Sequence, residues 1–331
     1  MPKYTYIDLF CGAGGLSLGF DRAGFQNIFS VEFNKDFAMT YKMNFPNHRL
    51  IVNDIKNINE KQIKEYVGNN KIDVIIGGPP CQGFSIAGII GRNFIDDERN
   101  RLFKEFVRFV SVIKPRMFVL ENVAALERHN KGKTIKQIVK AFSDQGYTIK
   151  HKVLNAVNYK VPQERRRLFI VGVKGNQNNF QYPIPKNKII SIKEAIDDLP
   201  KLSNGETSDI ENHKAMKHTK QMLKKMSYIK DGGDRNDIPN HIRPKSGDSR
   251  KYIRYDSKKP SFCVTGDMRK IFHYNQNRAL TCRELARLQT FPDWFKFYGN
   301  VGKVQQQIGN AVPVVLAEAI ANEVKEALSN E

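Results

Sequence analysis

A chain of 331 residues, 40% of them hydrophobic, is long enough to fold as one large domain and one smaller one. No apolar run approaches the roughly 20 residues that cross a bilayer, the first residues lack a secretory pattern, and Cys11, Cys81, Cys263 and Cys282 stand too far apart for a CxxC site or a disulfide framework. These features argue against a membrane protein and a disulfide scaffold and lead us to expect a cytoplasmic protein, while 54 Lys and Arg against 34 Asp and Glu, a formal charge of +20, point to a polyanionic partner.

From Lys3 to about Lys174, short apolar runs alternate with amphipathic stretches: "YTYIDLF", "NIFSVEF", "RLIVNDI", "IDVIIGG", "RMFVLENV" and "RRLFIVGVK", separated by segments such as "RNRLFKEFVRFVSVIK". This alternation predicts a doubly wound α/β domain with a mostly parallel sheet. From about Phe180 to Tyr274 the periodicity fades and Pro, Gly, Asp, Asn and Lys dominate, which predicts a loop-rich region with a few short strands. Helical spacing returns in "TCRELARLQTFPDWF" and "NAVPVVLAEAIANEVKEAL". The last stripe is expected to pack back beside the first helix. The predicted domains are 1–180 with 302–331, and an inserted 181–301.

Ligands of open α/β sheets bind beyond the carboxyl ends of the strands. The first end reads "DLFCGAGGLSLGF", with glycines at 12, 14 and 15, but Ser17 stands where a GxGxxG dinucleotide motif needs its last glycine. The second strand ends in Glu32, a carboxylate able to accept from both hydroxyls of a ribose, and the third in "NDI", where Asp54 can accept from an adenine amino group. Each acid taken singly reads as a solvated loop carboxylate. Together the three ends indicate a nucleoside cofactor without a pyrophosphate, S-adenosylmethionine. The fourth end is "GGPPCQGFS", in which Pro79 and Pro80 fix the backbone before Cys81, a candidate thiolate nucleophile. The fifth gives Glu121 with Asn122, and "VPQERRRLFIVG" sets Arg165 and Arg167 on one face of a predicted strand.

In this order "DLFCGAGG", "VEFN", "NDI", "GGPPCQGFS", "ENV", "QERRR", "RELARLQTFP" and "QQQIGNAVP" span nearly the whole chain. The chain thereby resembles the DNA cytosine-5 methyltransferases of bacterial restriction-modification systems. The resemblance implies a Rossmann-like S-adenosylmethionine-dependent sheet domain, with a smaller loop-rich target-recognition domain inserted before the C-terminal helix. It implies Cys81 as the nucleophile that adds to C6 of cytosine, Glu121 with Asn122 as the group supporting protonation at N3, and Arg165 and Arg167 as the cations beside the base. Arg165 is expected to hold the cytosine oxygen and to favour the thiolate. For the cofactor the resemblance implies Phe10 on the adenine, Gly12, Ala13 and Gly14 along the methionine part, Glu32 on the ribose, Asp54 and Ile55 at the adenine edge, and Pro80, Leu102 and Asn310 nearby.

Chemistry at C6 requires the target base to leave the helix, and "IAGIIGRNFIDDERN" after Ser85 suits a loop that closes over it. Between Arg235 and Lys270 ten Lys or Arg face four Asp or Glu, a composition suited to phosphate contacts. Gln82, Ser85, Arg243, Arg250, Arg254 and Arg269 are the expected DNA contacts. His213 and His218, in a lysine-rich stretch read as a solvated helix, are not expected to bind metal. The resemblance further implies a monomer acting on double-stranded DNA, with a cognate restriction endonuclease as its functional partner. A tRNA cytosine-5 methyltransferase, for which "CVT" at 263–265 is a near match to an expected Cys-Phe-Thr, and an inactive nucleic-acid-binding relative are the alternatives.

Overall fold

A computed structural model describes residues 4–80, 101–177, 179–244 and 251–330. Cys81, Gln82, Ser85, Arg250 and the glycine-rich segment after Ser85 lie outside the described residues. In chain order the elements are β1 (Thr5–Leu9), α1 (Gly15–Arg22), β2 (Gln26–Glu32), α2 (Lys35–Asn44), β3 (Leu50–Val52), α3 (Glu60–Val67), β4 (Val74–Gly77), α4 (Arg101–Ile113), β5 (Met117–Val123), α5 (Ala125–Arg128), α6 (Lys133–Ser143), β6 (Tyr147–Asn155) and β7 (Arg166–Lys174). Then follow α7 (Ile192–Ile196), α8 (Lys220–Tyr228), β8 (Ile253–Arg254), β9 (Ile271–Phe272), α9 (Cys282–Leu288), α10 (Val301–Asn310) and α11 (Val314–Ser329).

Seven strands form one sheet in the order β3-β2-β1-β4-β5-β7-β6. The first five run parallel, and β7 is antiparallel to both β5 and β6. Strands buried on both faces need continuous apolar runs, and Val74, Ile75 and Ile76 of β4 are fully covered. Helix α4 buries Phe103, Phe106, Phe109 and Val110, a helical stripe that packs its rings against Phe118 and Phe142. The α/β expectation therefore holds. The sequence reading missed β6, whose Lys150, His151 and Lys152 interrupt any apolar run because, among the described residues, β6 is the edge strand of the sheet.

The chain divides into two compact units, Met1–Asn155 with Arg166–Ile184 and Leu316–Glu331, and Ala156–Arg165 with Pro185–Val315. Helix α10 belongs to the second unit. In the first unit α11 packs beside α1 as expected. A Cβ at Gly19 would lie 2.4 Å from that of Ala317, and Arg22 pairs with Glu318 at 3.5 Å. The second unit is loop-rich, with β8 and β9 its short parallel pair. Among the described residues no helix is long and apolar enough to cross a membrane.

Candidate active site

Because β1 to β5 run parallel, their carboxyl ends share one edge of the sheet, and β7 returns to begin at that edge. The order changes direction about β1 and β4, where a ligand crevice is expected.

At the end of β1 the chain turns sharply. Phe10 has φ +64°, a strained value for an aromatic residue, and Gly12 and Gly14 have φ +57° and +98°. Among the described residues a Cβ at Gly12 would meet nothing nearer than the Phe10 carbonyl at 4.0 Å, so on their side the turn borders open space. Glu32, at the end of β2, is nearly buried and accepts from the Gly12 N–H at 2.8 Å and the Asn34 N–H at 2.7 Å. Burial pushes its carboxyl up, and these backbone donors partly offset that. The Asn53 N–H donates to the Glu32 carbonyl at 3.1 Å, which brings the end of β3 alongside. Asp54 follows, capping a short turn through the Lys56 N–H and pairing with the Lys56 ammonium at 2.9 Å. Its slight burial acts to raise the carboxyl, but Lys56 outweighs this and holds it below its usual range.

The expected cofactor residues divide by burial. Ala13 and Ile55 are buried, Phe10 and Leu102 are half-buried against the core, and Pro80 and Asn310 are exposed. The sequence reading overlooked Phe33. It follows Glu32 with 70% of its surface exposed, and a large aromatic left bare beside a buried carboxylate is the signal that would have found it.

The end of β5 carries the second half of the site. Cross-strand register sets Glu121 opposite Phe169 and Val123 opposite Arg167. Arg167 and Phe169 therefore share a face, and Arg167 Nε lies 3.0 Å from Glu121 Oε1. Gly78 runs directly beneath this carboxylate, since a Cβ there would lie 2.8 Å from Glu121 Oε2. Asn122 Nδ2 donates to the Pro79 carbonyl at 3.1 Å, and its Oδ1 accepts from the Val123 N–H at 2.8 Å. Glu121 and Asn122 thus grip the segment that leads into Cys81.

Arg165 lies just before the strand of Arg167. Strand β7 begins at Arg166, and Arg165 belongs to the second unit, where it is 1% exposed. Its Nη1 donates to the Val264 carbonyl at 3.0 Å and to Cys263 Sγ at 3.2 Å, and its Nη2 to the Gly309 carbonyl at 2.7 Å. Gln163 supports this clamp, accepting from the Val264 N–H at 2.9 Å and donating to Gln289 Oε1 at 3.0 Å. Within this unit Gln163 and Arg165 join their segment to those around 264, 289 and 309, a role the sequence reading left unassigned.

The expected DNA contacts need correcting in the second unit. Arg254 is buried and donates to the carbonyls of Met226, Ile229, His273 and Gln276 and to Asn277 Oδ1, so it is a structural strut with no surface to offer phosphate. Arg243 is half-buried and bonds the carbonyls of Asn236 and Ile238 in its own loop. Arg269 is exposed. His213 is not on a solvated helix: it is 1% exposed in a loop before α8, bridging Thr281 Oγ1 and the Pro200 carbonyl. His218 accepts from the Ala279 N–H. Among the described residues no group of His, Cys, Asp and Glu is arranged to hold a metal.

Nearly the whole chain matches a known pattern. The model of the C-5 cytosine-specific DNA methylases matches residues 4–326. The chain belongs to that family. It is 55% identical over 328 residues to Type II methyltransferase M1.HphI of Haemophilus parahaemolyticus, covering 99% of this chain and 88% of that one. It is 36% identical over 368 residues to Type II methyltransferase M.DdeI of Desulfomicrobium norvegicum, covering 96% and 88%. Among solved structures, an E. coli prophage protein described as a DNA modification methyltransferase superposes with a TM-score of 0.82 at 29% identity, covering 99% of this chain and all of that one. The chain is thus a DNA cytosine-5 methyltransferase of the restriction-modification type, and S-adenosylmethionine is its methyl donor. The open space beside Gly12, the buried Glu32 carboxylate and the bare Phe33 ring fit a nucleoside-bearing donor.

Proposed function

We propose that this enzyme methylates one cytosine of a specific duplex sequence through a covalent Cys81–C6 adduct on a flipped-out base, and so protects that sequence from a companion endonuclease. The observation that supports this best is the grip of Glu121 and Asn122 on Gly78 and Pro79, with Arg167 holding Glu121 at 3.0 Å. It sets a carboxyl group and a cation beside the segment that ends in the nucleophile.

Cytosine C5 is too electron-poor to attack a methyl group unaided. The Cys81 thiolate adds to C6 while Glu121 delivers a proton to N3, so that the ring becomes an enamine and not an anion. The Glu121 carboxyl must carry that proton to deliver it, and Arg167, which favours the carboxylate, binds the cytosine oxygen and stabilises Glu121 once the proton has gone. Arg167 therefore takes the role expected of Arg165, whose guanidinium is committed to the Val264 and Gly309 carbonyls. When bound, S-adenosylmethionine supplies the electrophilic methyl group that C5 accepts. Loss of the C5 proton to water then lets Cys81 leave as thiolate, and N3 returns its proton to Glu121, which restores the neutral aromatic ring and the acid.

For the cofactor, Glu32 holds the ribose hydroxyls, Phe33 with Phe10 covers the adenine, Asp54 takes its amino edge, and the turn from Gly12 to Gly14 lies along the amino-acid part. The enzyme acts as a monomer in the cytoplasm.

The test is incubation with S-adenosylmethionine and unmethylated duplex DNA, followed by bisulfite mapping. Methylation confined to one short recurring sequence supports the reading, whereas methylation of tRNA alone would replace it. A duplex with 5-fluorocytosine at the target has no C5 proton to lose and should trap the wild-type protein in a denaturant-stable adduct, and Cys81→Ser should form none.

A further inference from the structure

The segment from Cys263 to Lys270 is fixed along its length within the second unit. Arg165 and Gln163 hold Val264 at its carbonyl and N–H, and the Met268 N–H donates to Gln305 Oε1 at 3.0 Å with the Met268 side chain buried. Gly309 lets α10 touch the segment backbone to backbone, since a Cβ there would lie 2.4 Å from the Thr265 carbonyl carbon. With Met268 anchored inward, its neighbours Asp267 and Arg269 project outward, their side chains 46% and 62% exposed.

These two side chains are not independent. Arg269 Nε donates to Asp267 Oδ1 at 2.8 Å, and Lys251 Nζ donates to Asp267 Oδ2 at 2.9 Å and to its carbonyl at 3.0 Å. Exposed ion pairs of this kind add little stability, so the consequence is orientation. With Nε engaged, the guanidinium plane is fixed and its Nη1 and Nη2 edge faces away, with no partner among the described residues. Two parallel N–H donors in that arrangement match the O6 and N7 acceptors of guanine in the major groove. A phosphate contact needs no such device, and a carboxylate beside the arginine would repel a phosphate.

We propose that Arg269, oriented by Asp267 and Lys251, reads one guanine of the recognition sequence through its O6 and N7. This inference rests on the DNA reading above and assigns it a specificity residue.

The test uses the full-length enzyme on the duplex whose site the wild type has defined. Each guanine is replaced in turn by 7-deazaguanine, which loses the N7 acceptor and keeps Watson–Crick pairing. Wild-type methylation should fall at one guanine in particular. Arg269→Ala should be about 10- to 100-fold slower on the unmodified duplex and show no further loss at that guanine, while its sensitivity to the others is kept. Arg269→Lys keeps the charge without the fork and should lose the same discrimination. Unchanged melting curves for both variants exclude misfolding. If Arg269→Ala remains sensitive at every guanine, whether slowed uniformly or not at all, the inference is overturned and the methyltransferase reading stands. A wild type that methylates no duplex cytosine overturns both.

Discussion

Arg167 Nε lies 3.0 Å from Glu121 Oε1 because β7 runs antiparallel to β5 and begins where β5 ends. The pair is largely shielded from water, so each partner fixes the direction of the other. Glu121→Gln should lower kcat/KM by about 10²- to 10⁴-fold, the range for a lost general acid. Arg167→Ala should also lower kcat, with Arg167→Lys intermediate, in single-turnover methyl transfer. Full activity in Arg167→Ala would return the role to Arg165.

The thiols can be separated by substitution. Cys11 is buried and its thiol is pushed well up by that burial, and burial likewise pushes Cys282 up to about 12, so neither supplies thiolate at neutral pH. Cys263 is half-buried with the Arg165 guanidinium 3.2 Å from its sulfur, which makes it the instructive control. Cys81→Ser should abolish methylation and leave the melting curve unchanged, while Cys11→Ser, Cys263→Ser and Cys282→Ser each keep turnover. A dead Cys263→Ser with an active Cys81→Ser would reverse the assignment.

The strand ends were legible in the sequence because a strand buried on both faces needs an apolar run, and such a run leaves its terminal polar residue conspicuous, as at Glu32 and Glu121. The fates of the arginines were not. Arg165 and Arg167 are two apart and read as one strand face, yet β7 starts between them. In the insertion, composition counted Arg254 as surface charge, although four backbone carbonyls and Asn277 surround it. Which charges are buried depends on contacts between distant segments, and no local pattern encodes them.

Gly14 tests the cofactor turn. It has φ +98°, and a Cβ there would lie 2.3 Å from Cε2 of the Phe45 ring. Gly14→Ala should cost about 1–3 kcal/mol in urea unfolding, the range for overpacking and backbone strain, and weaken S-adenosylmethionine binding in titration calorimetry. Adding Phe45→Ala should relieve the clash and recover part of the stability, but not the part due to φ. Wild-type stability in Gly14→Ala would mean the turn relaxes freely.

Glu284, 1% exposed, binds Arg278 through both oxygens at 2.6 and 2.8 Å and accepts from the Thr281 N–H at 2.7 Å. Burial raises its carboxyl, but Arg278 outweighs burial and holds it below its usual range. Glu284→Gln strands a buried guanidinium and should cost about 3–5 kcal/mol. Nearby His273 is pushed down to about 4, chiefly by burial. A histidine that stays neutral when folded destabilises the fold as pH falls from its unfolded value near 6.5 towards 4, and Glu284 adds a loss below its unfolded value of about 4.5. Acid denaturation should therefore start earlier in wild type than in His273→Gln, as read by fluorescence from pH 7 to 4.

Asp8 acts with the opposite sign. It lies fully buried on β1 behind the cofactor turn, with Oδ2 accepting from Ser17 Oγ at 2.6 Å and Oδ1 without a partner among the described residues. Burial, opposed by the Ser17 bond and reinforced by Glu32 and Asp21, pushes its carboxyl up to about 8. Between about pH 4, where the unfolded side chain ionises, and pH 8, the folded protein holds a proton that the unfolded chain has lost. Raising the pH through that window therefore lowers stability, by up to roughly 1.4 kcal/mol per unit. Asp8→Asn carries no titrating proton and removes this slope, so in urea titrations the wild type should lose ground against the variant steadily from pH 5 to 8. A constant difference across that range would mean that Asp8 is ionised in the fold and that its charge is met by a group its two oxygens do not reveal.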